Sequence, residues 1–136
     1  MYEVQQASHL TYRAYDWGRD GRARDIDIER FSRAADPSRR ARILPAAGGP
    51  GHRLLADCAY FRLEQATGDV ALHLETADRT FHAITAIDSA VTIGGHCWAE
   101  RLDALETIIV PAGAGAYSLR AETGGRALIA SVPPSS

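Results

Sequence analysis

From residue 58 onward, apolar and polar positions alternate in runs of four to seven residues, each broken by Gly, Ala, Asp or Thr. A period of two puts every second side chain on the same face, as a strand needs when one face meets a core. The pattern predicts about eight strands: Tyr60–Gln65, Val70–Glu75, Thr80–Ala86, Ala90–Ile93, Cys97–Arg101, Glu106–Val110, Gly115–Arg120 and Arg126–Val132. Their connections carry turn chemistry, including Thr67-Gly68-Asp69, Gly94-Gly95 and Thr123-Gly124-Gly125. Many short strands at regular spacing mean a sandwich or a barrel.

Ahead of them lies a mixed, polar region. Tyr2–Gln6 and Thr11–Tyr15 have strand-like patterning. Ile28 and Phe31 stand three apart behind Asp27, which predicts a short helix capped by Asp27 and stopped at Asp36-Pro37-Ser38. The chain therefore divides into an N-terminal arm (1–36), a linker (37–57), the β-domain (58–133) and a disordered tail (134–136). Arg39, Arg40 and Arg42 could form a phosphate or nucleic-acid patch. No aromatic residues are interleaved for base stacking, so they read as a solvated charge run.

A chain of 136 residues, 46% hydrophobic and 24% charged, can bury one ordinary core. The net charge of -2 gives no pull toward nucleic acid or an acidic membrane. All 15 basic residues are Arg, so the choice of Arg at any one position carries no message. Cys58 and Cys97 lack metal or redox spacing and are expected to be buried free thiols. No apolar run is long enough to span a membrane, and Met-Tyr-Glu-Val does not read as a signal peptide, so a cytoplasmic location is expected.

The Pro111-Ala112-Gly113 corner after an apolar run points to a mainly all-β fold, a double-stranded jelly roll of cupin type with a strand and short-helix arm at its N-terminus. A metal-binding barrel of this type needs several imidazoles and a carboxylate converging inside it. His73 stands alone between Ala71 and Glu75, Ala116 follows the corner where a last His would fall, and His82 sits where a ligand Glu is expected. No metal site is expected in this chain. His9 and His52 read as solvated, and His73, His82 and His96 as surface or satisfied core histidines unless folding clusters them.

The run Glu3-Val4-Gln5-Gln6-Ala7-Ser8-His9-Leu10-Thr11-Tyr12-Arg13-Ala14-Tyr15-Asp16-Trp17-Gly18-Arg19 resembles a segment of class I mannose-6-phosphate isomerases, roughly E-(I/V)-Q-Q-x-S-D-x-T-Y-R-x-Y-D-(W/Y)-x-R. Cys58–Phe61, Phe81–Ile93 and Leu105–Ala112 resemble the opening strand, central hairpin and pre-corner strand of that family's C-terminal β-domain. The resemblance implies interconversion of mannose 6-phosphate and fructose 6-phosphate at a zinc site. It places Arg13 as a catalytic and substrate-binding residue, its guanidinium donating to an enediolate oxygen or to phosphate. An ion pair of Arg13 with Glu3 or Asp16 is the purely structural alternative.

There are departures. The family's metal ligands lie upstream of the E-(I/V)-Q-Q element, so no cofactor is expected in this chain, zinc belonging to the full-length family. His9 replaces the family Asp, and Ser89 or Ala90 and Ala104 replace two turn glycines. Three readings stay open: a C-terminal isomerase segment inactive alone, a free-standing non-enzymatic cupin-like module that binds a sugar, a sugar phosphate or a partner, and one half of a split enzyme. In the last, Tyr12, Tyr15 and Trp17 would anchor a separate N-terminal half or self-association.

Overall fold

In the computed structural model, which describes residues 2–5, 10–18, 24–38, 51–68, 70–122 and 124–133, the alternating runs become strands of two facing antiparallel sheets. Nine strands are found among these residues: β1 (His52–Asp57), β2 (Arg62–Thr67), β3 (Leu72–Glu75), β4 (His82–Ala86), β5 (Val91–Gly95), β6 (Ala99–Leu102), β7 (Thr107–Val110), β8 (Ala116–Ala121) and β9 (Arg126–Ser131). One sheet has the order β1-β2-β9-β4-β7 and the other β3-β8-β5-β6. This is the predicted jelly-roll sandwich, with one strand more than expected.

The extra strand lies in the segment read as linker. Its pairing with β2 shifts register between Leu54 and Ala56, so Leu55 is the extra residue of a β-bulge. The bulge breaks the period-two signal. The Gly-rich run before it completes the disguise. The loop Cys58–Phe61, closed by Cys58 N–H donating to Phe61 O at 3.1 Å, joins the two strands. That loop lifts Cys58 to the surface, and the β5–β6 turn does the same for Cys97, so both thiols are exposed rather than buried.

The core is the interface between the sheets. Ile84, Ile129 and Val110 come from one side, and Val91, Ile93 and Leu119 from the other, all fully buried. They belong to the inward parity of their strands, for example Ile84 opposite both Ile129 and Ile108. Each such side chain contributes about 1.5–3 kcal/mol of burial.

The corner after Pro111 is a short 3₁₀ turn, Ala112–Ala114, that carries the chain from one sheet to the other. Thr76, 1% exposed, pins it by donating its hydroxyl to Ala112 O at 2.5 Å and accepting Gly115 N–H at 3.1 Å. Where the resemblance anticipated altered turns, Leu105 takes a left-handed φ of 72°.

The chain forms two compact units, the sheets together with residues 1–4 in one and residues 5–42 in the other. In the second, the helix Ile28–Ala34 (α1) forms as predicted, with Asp27 accepting Arg30 N–H at 2.9 Å as its N-cap. Tyr2–Gln5 and Thr11–Tyr15 are not strands, a correction to the expectation. These pieces have strand-like patterning but pair with no described ladder. Gln6–His9, Arg19, the arginines 39, 40 and 42 and the tail 134–136 lie outside the described residues. Among the described residues no helix is long and apolar enough to cross a membrane.

Candidate functional site

β4 begins with an inward-pointing polar residue. His82 lies directly opposite Ser131 of β9 and Val110 of β7, so it shares their inner face and is only 9% exposed. From the facing sheet, β8 sends Tyr117 inward between Leu74 of β3 and Gly95 of β5, 4% exposed. The Tyr117 hydroxyl and His82 Nδ1 are hydrogen-bonded at 2.5 Å. When the imidazole carries its hydrogen on Nε2 the phenol donates, and in the other tautomer Nδ1–H donates to the phenol oxygen.

Trp98 packs beside Tyr117 with ring centroids 6.0 Å apart. Its placement depends on Gly95. A Cβ at Gly95 would lie 2.4 Å from Trp98 Nε1 and 2.8 Å from Cε2, closer than any such contact can be.

Glu64 supplies the negative charge of this interior. It sits opposite Leu54 and Ile129 on the inward parity of β2. Burial pushes the His82 imidazole below its ordinary range, partly opposed by Glu64. Burial, reinforced by Glu64, pushes the Tyr117 phenol well above its usual value. Both groups are therefore held neutral around pH 7.

His52, expected to be solvated, is instead half-buried on β1 with Nε2 3.1 Å from Glu64 Oε1. The contact does not have hydrogen-bond geometry, and Nε2 is buried with no hydrogen-bond partner among the described residues. Beyond it, Arg62 donates to Asp57 at 2.9 Å across the β1–β2 hairpin, which raises the Arg62 pKa.

The described histidines do not gather. His73 is exposed on β3 and His96 is exposed at the tip of the β5–β6 hairpin. Among the described residues no three His, Cys, Asp or Glu side chains converge as a metal would need. His82 has its Nδ1 engaged by Tyr117, and Ala116 offers no donor. The described residues thus do not fit the zinc of the resembling family.

The residues taken from the resemblance belong to the second unit. Arg13 is half-buried, and its backbone carbonyl accepts Asp27 N–H at 3.1 Å. Asp16, one of its suggested ion-pair partners, accepts Arg24 N–H at 3.2 Å instead. Tyr15 and Trp17 meet edge to face at 5.3 Å and are 66% and 81% exposed, while Tyr12 is half-buried.

Sequence reasoning missed Glu64 and Tyr117 as partners of His82. The available signal was parity. Tyr117 precedes Leu119 and Ala121 on one face of β8, and Glu64 precedes Ala66 on one face of β2.

Solved structures share this architecture. A cupin from Desulfovibrio desulfuricans, described as RmlC-like, superposes with a TM-score of 0.54 at 15% identity, over 62% of this chain and 82% of that one. The fold is that of a cupin. KdgF from Halomonas sp. matches this cupin sandwich with a TM-score of 0.52 at 11% identity, over 64% of this chain and 83% of that one. Mannose 6-phosphate isomerase from Bacillus subtilis matches with a TM-score of 0.66 at 17% identity, over 88% of this chain but 39% of the isomerase. No protein-family model and no curated protein sequence matches this chain.

Proposed function

We propose that this cupin is the β-domain segment of a class I mannose-6-phosphate isomerase-like protein, which lends Arg13 to a sugar-phosphate site and does not turn over alone. The observation that carries this reading is the extent of likeness. The RmlC-like cupin and KdgF cover 62% and 64% of the chain, whereas the isomerase covers 88%, reaching beyond the sandwich. The Glu3–Arg19 run supports the same reading. In it the guanidinium of Arg13 holds phosphate or an oxygen that gains negative charge during proton transfer between C1 and C2, a task suited to its fixed fork. A metal bound by a complementary half would polarise the sugar oxygens.

The buried cluster favours a second reading, a non-enzymatic module that binds a sugar inside the barrel. His82, Tyr117 and Glu64, with Ser131 beside His82, set donors and acceptors within a mostly apolar interior. Calorimetric titration with mannose 6-phosphate and with mannose separates the two. Binding that needs the phosphate and is lost in Arg13→Ala supports the first. Binding that survives Arg13→Ala and is lost in Tyr117→Phe supports the second, and heat from neither ligand overturns both as accounts of the isolated chain.

A further inference from the structure

β6 and β7 are the terminal strands of opposite sheets, and a groove of about 330 Å³ is lined from both. Trp98 and Glu100 come from the β6 side, and Ile108, Ile109, Val110 and Pro111 from the β7 side. β7 reads Thr-Ile-Ile-Val, four uncharged β-branched residues, with Ile109 56% exposed. Natural sheet edges are usually guarded by charge, proline or a bulge. Within β7 there is none. Its outer backbone groups are those of a strand paired on one side only, to β4.

Glu100 adds the second observation. It shares the inward parity of β6, opposite Ile93, yet is exposed and makes no ion pair or side-chain hydrogen bond among the described residues. Its neighbour Arg101 is engaged elsewhere, by Glu122 at 2.6 Å and Asp103 at 3.4 Å. A free carboxylate beside an apolar groove and a bare edge selects its occupant. Main-chain hydrogen bonds to the edge give affinity, while the groove and the charge choose side chains.

We infer that the β6–β7 seam docks an extended segment of a partner protein in which β-branched residues alternate with Arg or Lys, the segment adding a strand to β7 and setting a cation on Glu100. A second copy pairing through its own β7 fits less well, because residues 104–119 contain no Arg, Lys or His to meet Glu100.

The test is calorimetric titration of the full chain with an eight-residue peptide alternating valine and arginine, its ends blocked. The arginine peptide should bind. The same peptide with glutamate for arginine should bind at least about tenfold more weakly, and an N-methylated version should not bind, because it lacks the donors for strand addition. Glu100→Gln should weaken the arginine peptide about tenfold, the loss of one charge-assisted hydrogen bond, with its thermal melt unchanged because the residue is exposed. Ile109→Lys, also at an exposed position, should weaken it through like charge. The inference is overturned if the arginine peptide gives no heat at about 1 mM, if the glutamate peptide binds as well, or if Glu100→Gln changes nothing. Sedimentation showing a dimer that Ile109→Lys dissolves also overturns it, giving the seam to a second copy.

Discussion

Removing a single oxygen at Tyr117 should reveal how much the buried pair holds. Tyr117→Phe leaves the ring and its packing against Trp98 in place, so the change in apolar burial is close to nil. What disappears is the hydroxyl 2.5 Å from His82 Nδ1. At 9% exposure His82 has little access to water as a substitute. Leaving one buried polar atom unpaired costs about 1–3 kcal/mol. In a domain of this size that lowers the melting temperature by roughly 4–12 °C.

The pH dependence gives an independent readout of the same pair. The folded-state pKa of His82 lies below its unfolded value, so as pH falls the unfolded chain takes up the proton first. The stability tied to neutral His82 is therefore complete above about pH 6.5 and is lost as pH falls below it, with a slope of at most about 1.4 kcal/mol per pH unit. Tyr117 works in the opposite sense. Its raised pKa makes the unfolded chain lose the proton first, so stability declines as pH rises above about 10. Thermal melts followed by circular dichroism between pH 5 and 8 should show the acid limb in the wild type and flatten it by one group in His82→Gln, which keeps an acceptor for the phenol. A Tyr117→Phe variant within about 0.3 kcal/mol of wild type, or an acid limb unchanged in His82→Gln, would refute the reasoning.

Other substitutions probe the frame around the pair. Leu105→Gly should be neutral or stabilise by up to about 1 kcal/mol, because it relieves a left-handed φ of 72° at a side chain that is 78% exposed; a loss of stability in urea unfolding would count against this. Thr76→Val keeps the volume but deprives Ala112 O and Gly115 N–H of their buried partner, so urea midpoints should fall by the equivalent of about 1–3 kcal/mol. Gly95→Ala should cost about 1–3 kcal/mol and expose Trp98, read as a red shift of its fluorescence; an unshifted spectrum would mean the ring accommodates the methyl where it stands.

The sandwich was legible because short apolar runs separated by turn residues recur through the β-domain, and Ile84, Ile93, Leu119 and Ile129 all sit on the expected parity. β1 was hidden because a bulge at Leu55 breaks that period, and no residue propensity compensates for a lost register. The cysteines were misplaced for a related reason. Thiol chemistry says buried, but Cys58 falls in the β1–β2 loop and Cys97 in the β5–β6 turn, outside the strands whose parity leads to the core. The N-terminal pieces read as strands by pattern alone, yet a strand exists only where a neighbour pairs with it.

The candidate site was less legible than the fold. His82 was visible as a residue but not as half of a pair, since Tyr117 lies 35 positions away and meets it only when the two sheets face each other. His52 looked solvated beside its glycines, and only the β1–β2 pairing brings it to Glu64. Arg13 was reached through resemblance, because nothing in its local pattern distinguishes a site arginine from a structural one.

The most direct test of the proposed function is reconstitution. This chain is mixed with a separately produced metal-bearing N-terminal portion of a class I isomerase, zinc is added, and fructose 6-phosphate formation from mannose 6-phosphate is followed in a coupled assay. The account predicts no turnover from either part alone, turnover from the mixture, and a loss of about 100-fold or more when the mixture contains Arg13→Ala. Turnover by this chain alone, or a fully active Arg13→Ala mixture, would contradict it.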